Sequence, residues 1–277
     1  MISDKSVLVS VVMPVYNTEQ YLEEAIHSIL NQTFTEFEFI IINDGSTDGS
    51  AAIIERFQMQ DQRIRVLTNK SPLGKAGDLA KEMGIKNTSA QYIAIMDADD
   101  ISKPQRLQKQ FDFMESNPKI FLCGSWAEYI DRNGDIFLDW KPDTEHKEIV
   151  RKLYFKNSII HPSFFFRNPK NEVQFYETKY QWYNDYYTLF HLIKKGKVLA
   201  NIPEILLTYR ISGNSTTQAN IKKKVMEYFK IRDEIATYSP CRPSWIQRFY
   251  VFAQYLAIAY LPEKLVLSFH PIFKKAL

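Results

Sequence analysis

Four near-continuous apolar runs, at residues 7–13, 39–42, 64–67 and 92–96, limit this chain more than any other feature. Each has the length of a strand, and none alternates with polar residues, as a strand covered on both faces would not. Between them the apolar residues recur at helical spacing: Tyr21, Leu22, Ala25, Ile26, Ile29 and Leu30, then Ile53, Ile54 and Phe57, then Leu79, Ala80 and Met83. Strand and helix in alternation predict an α/β fold, a mostly parallel sheet with helices on both faces. Pro14 is expected to end the first strand, and Asn17 or Thr18 to cap the helix after it.

The fourth run delivers Asp97, Asp99 and Asp100 within four positions, separated only by the small Ala98. In an open α/β sheet the ligand crevice lies outside the carboxyl ends of the strands, so these acids are expected where a ligand sits. Paired carboxylates repel unless compensated, and a hard divalent cation such as Mn²⁺ or Mg²⁺ takes oxygen ligands of this kind, often shared with substrate phosphates. The same spacing also suits an acidic turn capping the next helix. Asp44 follows the second strand and is expected to open into the same crevice, where its carboxylate could accept from a base imide or a ribose hydroxyl. It could equally close an Asx-turn before Gly45, and Asp48 is expected to cap the second helix. Neither G-x-G-x-x-G nor G-x-x-x-x-G-K-[ST] occurs, so phosphate must be met by metal and cations.

Beyond the acids the rhythm changes. Ser102-Lys103-Pro104-Gln105 reads as a cap with proline at the first helical position, followed by an inner face of Leu107, Phe111 and Met114. A strand at 120–123, a hairpin signal at Asn133-Gly134, a helix at 145–156, extended chain at 163–166, a helix at 184–195 stopped by Gly196, and extended chain at 205–210 predict a smaller mixed sheet. A chain of 277 residues, 45% hydrophobic, has room for one large core, or a core with an appendage. Its net charge of +3 gives no argument for nucleic acid. Only Cys123 and Cys241 occur, without Cys-x-x-Cys, and no export signal is apparent, so a reducing cytoplasm is expected.

Residues 216–277 carry ten Lys/Arg against four Asp/Glu. Within them the apolar stretch 245–261 is interrupted by Arg248 and Gln254 and ended by Pro262, too short for a membrane span. Aromatics beside Arg242, Arg248, Lys264, Lys274 and Lys275, with Lys222-Lys223-Lys224 upstream, suit an interfacial segment on anionic lipid. Packing on the rest of the chain or on a second subunit suits them as well.

Three motifs stand in order: Val11-Val12-Met13-Pro14-Val15-Tyr16-Asn17, Ile42-Asn43-Asp44-Gly45-Ser46-Thr47-Asp48 and Met96-Asp97-Ala98-Asp99-Asp100. With Asn184-Asp185 and Tyr209-Arg210-Ile211-Ser212-Gly213-Asn214-Ser215, they closely resemble the family 2 glycosyltransferases of GT-A fold, of the bacterial surface-polysaccharide type. The resemblance covers about residues 6–215. It implies a Rossmann-like sheet, with 1–105 as the nucleotide-sugar half and 106–215 as the acceptor half, and leaves 216–277, read from its own residues, as a helical tail.

The activity implied is an inverting, hexosyltransferase-type transfer from a nucleotide-diphosphate donor, most often a UDP-sugar, to a glycan or lipid-linked acceptor. Carried over by position, the donor would meet Pro14, Val15, Tyr16, Asn17, Asp44, Asn69, Lys75, Asp97, Ala98 and Arg210. Asp99, helped by Asp97, would hold the metal. Asp185 would be the general base, with His161 and Asn184 on the acceptor side. The chain departs from the family in having Asn184 where Glu often stands and Ser212 where His is common. Two rivals follow: a nucleotide-sugar-binding protein without turnover, and a sugar nucleotidyltransferase, whose glycine-rich triphosphate loop is absent.

Overall fold

The computed structural model describes residues 7–170, 174–211 and 221–260, so Ser212–Ser215 of the last motif and the basic residues beyond 260 lie outside it. The expected alternation is present: β1 (Val9–Val15), α1 (Glu19–Leu30), β2 (Phe37–Asn43), α2 (Ser50–Gln60), β3 (Ile64–Thr68), α3 (Asp78–Lys86) and β4 (Tyr92–Ile95). These strands pair in parallel in the order β3-β2-β1-β4. Then come β5 (Ile101–Ser102), α4 (Arg106–Ser116), β6 (Ile120–Ile130), β7 (Ile136–Trp140), α5 (His146–Lys152), β8 (Phe165–Arg167), α6 (Asn184–Lys194), β9 (Val198–Arg210), α7 (Ile221–Thr237) and α8 (Trp245–Tyr260).

The mixed half is hydrogen-bonded to the parallel half as one sheet. β8 runs antiparallel between β4 and β6, β6 pairs with β9 in parallel, and β5 and β7 close the far side.

Alternating strand residues feed two cores. Val9, Val11, Met13, Phe39, Ile41 and Ala94 meet α1, α2 and α4 on one face, while Val12, Ile40, Ile42, Ile93 and Ile95 meet α3 and α6 on the other. Each Val, Ile, Met or Phe among them, fully buried, contributes about 1.5–3 kcal/mol. Gly84 lets α3 lie against the sheet: a Cβ there would come within 2.5 Å of Val12 Cγ1 and 2.9 Å of Ile42 Cδ1.

Several local expectations shift. Pro14 lies inside β1, paired in register with Ile42, instead of ending it. Val12 O accepts from Met96 N, so Pro14, two residues on, faces one rung beyond the end of β4, where its missing N–H is not needed. Ser102 pairs with Leu207 in β5, and this capture delays α4 to Arg106. The helix expected over 145–156 spans His146–Lys152, and extended chain begins at Phe165 because His161–Ser163 form a 3₁₀ turn.

α7 adds Phe229, Ile231 and Ile235 to the second of the two cores, its Tyr228 ring stacks on Tyr186 of α6, and its Glu234 accepts from the hydroxyls of Tyr180 and Tyr187. α8 buries Val251 but exposes Trp245, Ile246, Phe249, Tyr250 and Phe252. Among the described residues no helix is long and apolar enough to cross a membrane.

Candidate active site

The carboxyl end of β4 and the N-termini of α3 and α6 converge. Their meeting place is a cleft of about 320 Å³ lined by Asp78, Lys81, Asp97, Asn157, His161 and Asp185, with Tyr129, Trp140, Trp182, Tyr183, Tyr209 and Lys224 among its walls. Asp97, His161 and Asp185, predicted from distant parts of the sequence, therefore share one space. Asp44, Asn69, Lys75, Asp99 and Arg210 lie outside its lining.

Asp44 is buried, and its Oδ1 accepts from Asn69 Nδ2 at 2.7 Å and from Leu73 N at 3.0 Å, so it ties the loop after β3 to the end of β2. The Asx-type turn belongs to Asn43, whose Oδ1 takes Ser46 N. Gly45, at φ +77, leaves no room for a side chain, since a Cβ would meet Ser71 Cα at 2.7 Å. Asp48 joins two helix starts, accepting from Ser50 N of α2 and Glu19 N of α1. At the end of β1, Tyr16 is exposed, and Asn17, at φ +51, accepts from Thr47 N. Lys75 and Ala76 also hold positive φ, between Gly74 and Gly77, a strained loop leading into α3.

The three acids after β4 have three environments. Asp97 receives Lys81 Nζ at 3.3 Å, and that ammonium also lies 3.9 Å from Asp78 Oδ1. Asp97 thus differs from the expectation that it stands open beside Asp99 for a cation, because an internal lysine already neutralises it. Burial and the neighbouring Asp97 charge push Asp99 up to about 6. The two cations beside it are committed, Lys81 to Asp97 and Arg210 to Glu24 at 2.6 Å. Asp100 is buried, accepts from Arg210 N, and is pushed well above the carboxylate range by burial and then by Asp99. Arg210 donates from Nε to the Asp99 carbonyl and covers the Tyr21 ring, so its guanidinium is engaged within the fold.

Among the described residues no group of three or more His, Cys, Asp or Glu converges on a metal position. Asp99 alone still fits a hard cation: a half-buried carboxylate whose charge is disfavoured where it stands, with Ala98 too small to crowd it. One carboxylate plus substrate phosphates and water is an ordinary donor set for such an ion.

On the opposite wall, Asp185 sits in the first turn of α6 and accepts from Asn157 Nδ2 at 3.0 Å. The preceding Tyr183 has φ +57, and Asn184 is buried, bonded to Asp78 Oδ2 at 3.1 Å and to Tyr180 N at 3.0 Å. Asn184 therefore anchors α6 to α3 and does not reach the cleft. A Glu there would set another carboxylate against Asp78, which burial already lifts to about 7. His161 Nε2 shares a 2.8 Å hydrogen bond with Tyr176 Oη, and burial, then Lys81, depresses its pKa to about 4, leaving it neutral.

Sequence reasoning missed Asp78 and Lys81. Asp78, Lys81, Glu82 and Ile85 form a buried stripe at helical spacing, and three charges on a stripe that should be apolar were the available signal. Asp78 makes a testable contribution. The folded state, facing Lys81, Asp185 and Asp97, keeps its proton up to about pH 7, whereas the unfolded chain loses it near 4. The folded state therefore binds more protons over that interval, and stability falls as pH rises through it, by up to about 1.4 kcal/mol per unit. Urea unfolding from pH 4.5 to 8 should show wild type losing ground to Asp78→Asn until about pH 7. Parallel profiles would remove this role.

The sequence profile of Glycosyl transferase family 2 matches residues 10–172. An uncharacterized glycosyltransferase of Methanocaldococcus jannaschii is 38% identical over 229 residues, 81% of this chain and 78% of its own. The O-antigen biosynthesis glycosyltransferase WbnJ of Escherichia coli is 32% identical over 240 residues, 84% of this chain and 87% of its own. Among solved structures, S. aureus TarS 1–349 in complex with UDP-GlcNAc superposes with a TM-score of 0.66 at 16% identity, covering 91% of this chain and 72% of that one. The mannosyltransferase PcManGT from Pyrobaculum calidifontis, in complex with GDP-Man and Mn²⁺, gives a TM-score of 0.60 at 14% identity, covering 98% and 84%. At these identities the two structures speak for the fold.

Proposed function

The chain belongs to glycosyl transferase family 2, and from that premise we propose an inverting, metal-assisted transfer of a sugar from a UDP-sugar to a saccharide acceptor of a surface polysaccharide. The observation that carries this reading is the meeting of Asp97 and Asp185 in one cleft, the first brought by β4 and the second by the start of α6. A donor bound beyond the strand ends would then present its anomeric carbon to an acceptor on the Asp185 side. The UDP-GlcNAc held by TarS and the Mn²⁺ held by the mannosyltransferase support the choice of donor class and ion at the level of fold.

In this reading Asp185 takes the proton from the acceptor hydroxyl as it attacks from the face opposite the leaving group. Asn157 fixes the orientation of that carboxylate through its 3.0 Å bond. Lys81 keeps Asp97 ionised and aimed into the cleft, where its oxygens can accept from hydroxyls of the donor. Asp44 lies at the donor end, held ready by Asn69 and Leu73 N. Asp99 would hold the divalent cation, which when bound supplies neutralisation of the departing diphosphate. The exposed aromatics of α8 beside Arg242 and Arg248 support an accessory seat on anionic membrane, and flotation that does not respond to anionic lipid would sink it.

The whole reading is tested by a thermal-shift screen of UDP-, GDP-, CDP- and dTDP-sugars with Mn²⁺, followed by measurement of nucleotide diphosphate released with a panel of saccharide acceptors. A UDP-sugar should give the largest shift, and acceptor should stimulate UDP release. Binding without release across the panel would leave a sugar-nucleotide-binding protein, and no binding at all would end the proposal.

A further inference from the structure

Lys224, on α7, is 3% exposed, yet it lines the cleft beside Trp182, Tyr183 and Asp185. Its ammonium lies 5.5 Å from the centre of the Trp182 ring. Among the described residues no carboxylate pairs with it, and each nearby acid is already engaged. Glu227, one turn along α7, accepts from Gln181 N and Trp182 N; Asp185 accepts from Asn157; Asp78 and Asp97 share Lys81.

A cation withdrawn from water without a counter-ion is costly, and a ring face recovers only part of that cost. Burial accordingly lowers the Lys224 pKa, with no neighbouring charge acting against it. A site of this kind is completed by an anion arriving with a ligand. Lys224 lines the cleft together with Asp185, the residue that meets the acceptor hydroxyl in the reading above, so the anion is assigned to the acceptor. Trp140, Trp182 and Tyr183 offer ring faces in the same cleft, a surface suited to the C–H face of a pyranose.

We infer that the acceptor carries a carboxylate or phosphate group close to the hydroxyl that receives the sugar, and that Lys224, backed by Trp182, binds it. This deepens the glycosyltransferase reading and rests on it. The two sources of the anion are an acidic sugar and a lipid-type diphosphate, and they are separable with defined probes.

Binding of methyl glucoside, methyl glucuronide and citronellyl diphosphate to the full chain saturated with UDP, read by tryptophan fluorescence, provides the test. At least one anionic probe should bind about tenfold or more tighter than the neutral glucoside, the factor expected for a hydrogen bond to a charged group. The glucuronide being preferred identifies an acidic sugar, and the diphosphate a lipid-linked acceptor. Lys224→Met should abolish the preference and Lys224→Arg should retain it, both unfolding cooperatively.

Equal binding of all three probes, or a preference that survives Lys224→Met, overturns the inference. Weaker UDP binding in Lys224→Met with unchanged probe ranking also overturns it, by assigning the cation to the donor. Failure of the enzyme reading shows separately, as no UDP release with any acceptor.

Discussion

Asp185→Asn should spare donor binding and cut turnover by about 10²–10⁴-fold, the range for a lost general base. Three features support the proposed role of Asp185. Asp185 lies in the first turn of α6, where the helix dipole favours an ionised carboxylate. Asn157 grips one of its oxygens at 3.0 Å, and the Asn184 clamp and left-handed Tyr183 fix the turn that carries it. The substitution keeps shape and size, so Asn157 can still meet an amide oxygen and the fold should persist. Steady-state UDP release should show kcat falling with little change in the donor KM, as for an interaction made in the transition state. The cleft also offers His161 as a proton acceptor, neutral at physiological pH but already joined to Tyr176. Turnover preserved in Asp185→Asn and lost in His161→Gln would transfer the role to the histidine.

How far the sequence could be read depended on the range of the interactions. The runs at 39–42 and 92–96 announced buried strands because an unbroken apolar stretch of strand length is itself a local signal, and acids just after them had to emerge at the strand ends. The role of Arg210 was not legible in the same way: its partner Glu24 is 186 positions away, and no local pattern distinguishes that bridge from a phosphate contact. Lys81 escaped for a related reason, since a lysine on an amphipathic helix ordinarily marks the solvent face, and only tertiary packing turns it under Asp97. Trp140, Trp182 and Lys224 come from three separate segments, so the walls of the cleft exist only once β7, the loop before α6 and α7 are assembled. β8 is three residues long and joins the two halves of the sheet, yet its run of Phe165-Phe166 fits a core as well as a strand.

Asp99→Asn should raise the stability of the metal-free protein while removing metal-dependent turnover by about two to three orders of magnitude. The two effects have one source. Without a cation, the Asp99 charge is opposed by burial and by Asp97, and the nearest basic groups are held by Asp97 and Glu24. Neutralising the side chain relieves that opposition, so the variant should melt above wild type when no divalent ion is present. Adding Mn²⁺ with UDP should reverse the order, because ligand binding stabilises only the protein that retains the carboxylate. The loss in rate follows from the several kcal/mol that a Lewis acid contributes to a departing diphosphate, each 1.36 kcal/mol being about tenfold. A carboxylate kept for structure alone would behave oppositely, with its loss lowering the melting temperature and leaving the Mn²⁺ dependence of the rate intact. Calorimetry with and without Mn²⁺ and UDP, alongside a Mn²⁺ titration of UDP release, separates the two cases. Near wild-type metal-dependent release from Asp99→Asn would remove this residue from the ion's donor set, and with Asp97 held by Lys81 the end of β4 would have no open carboxylate left to offer one.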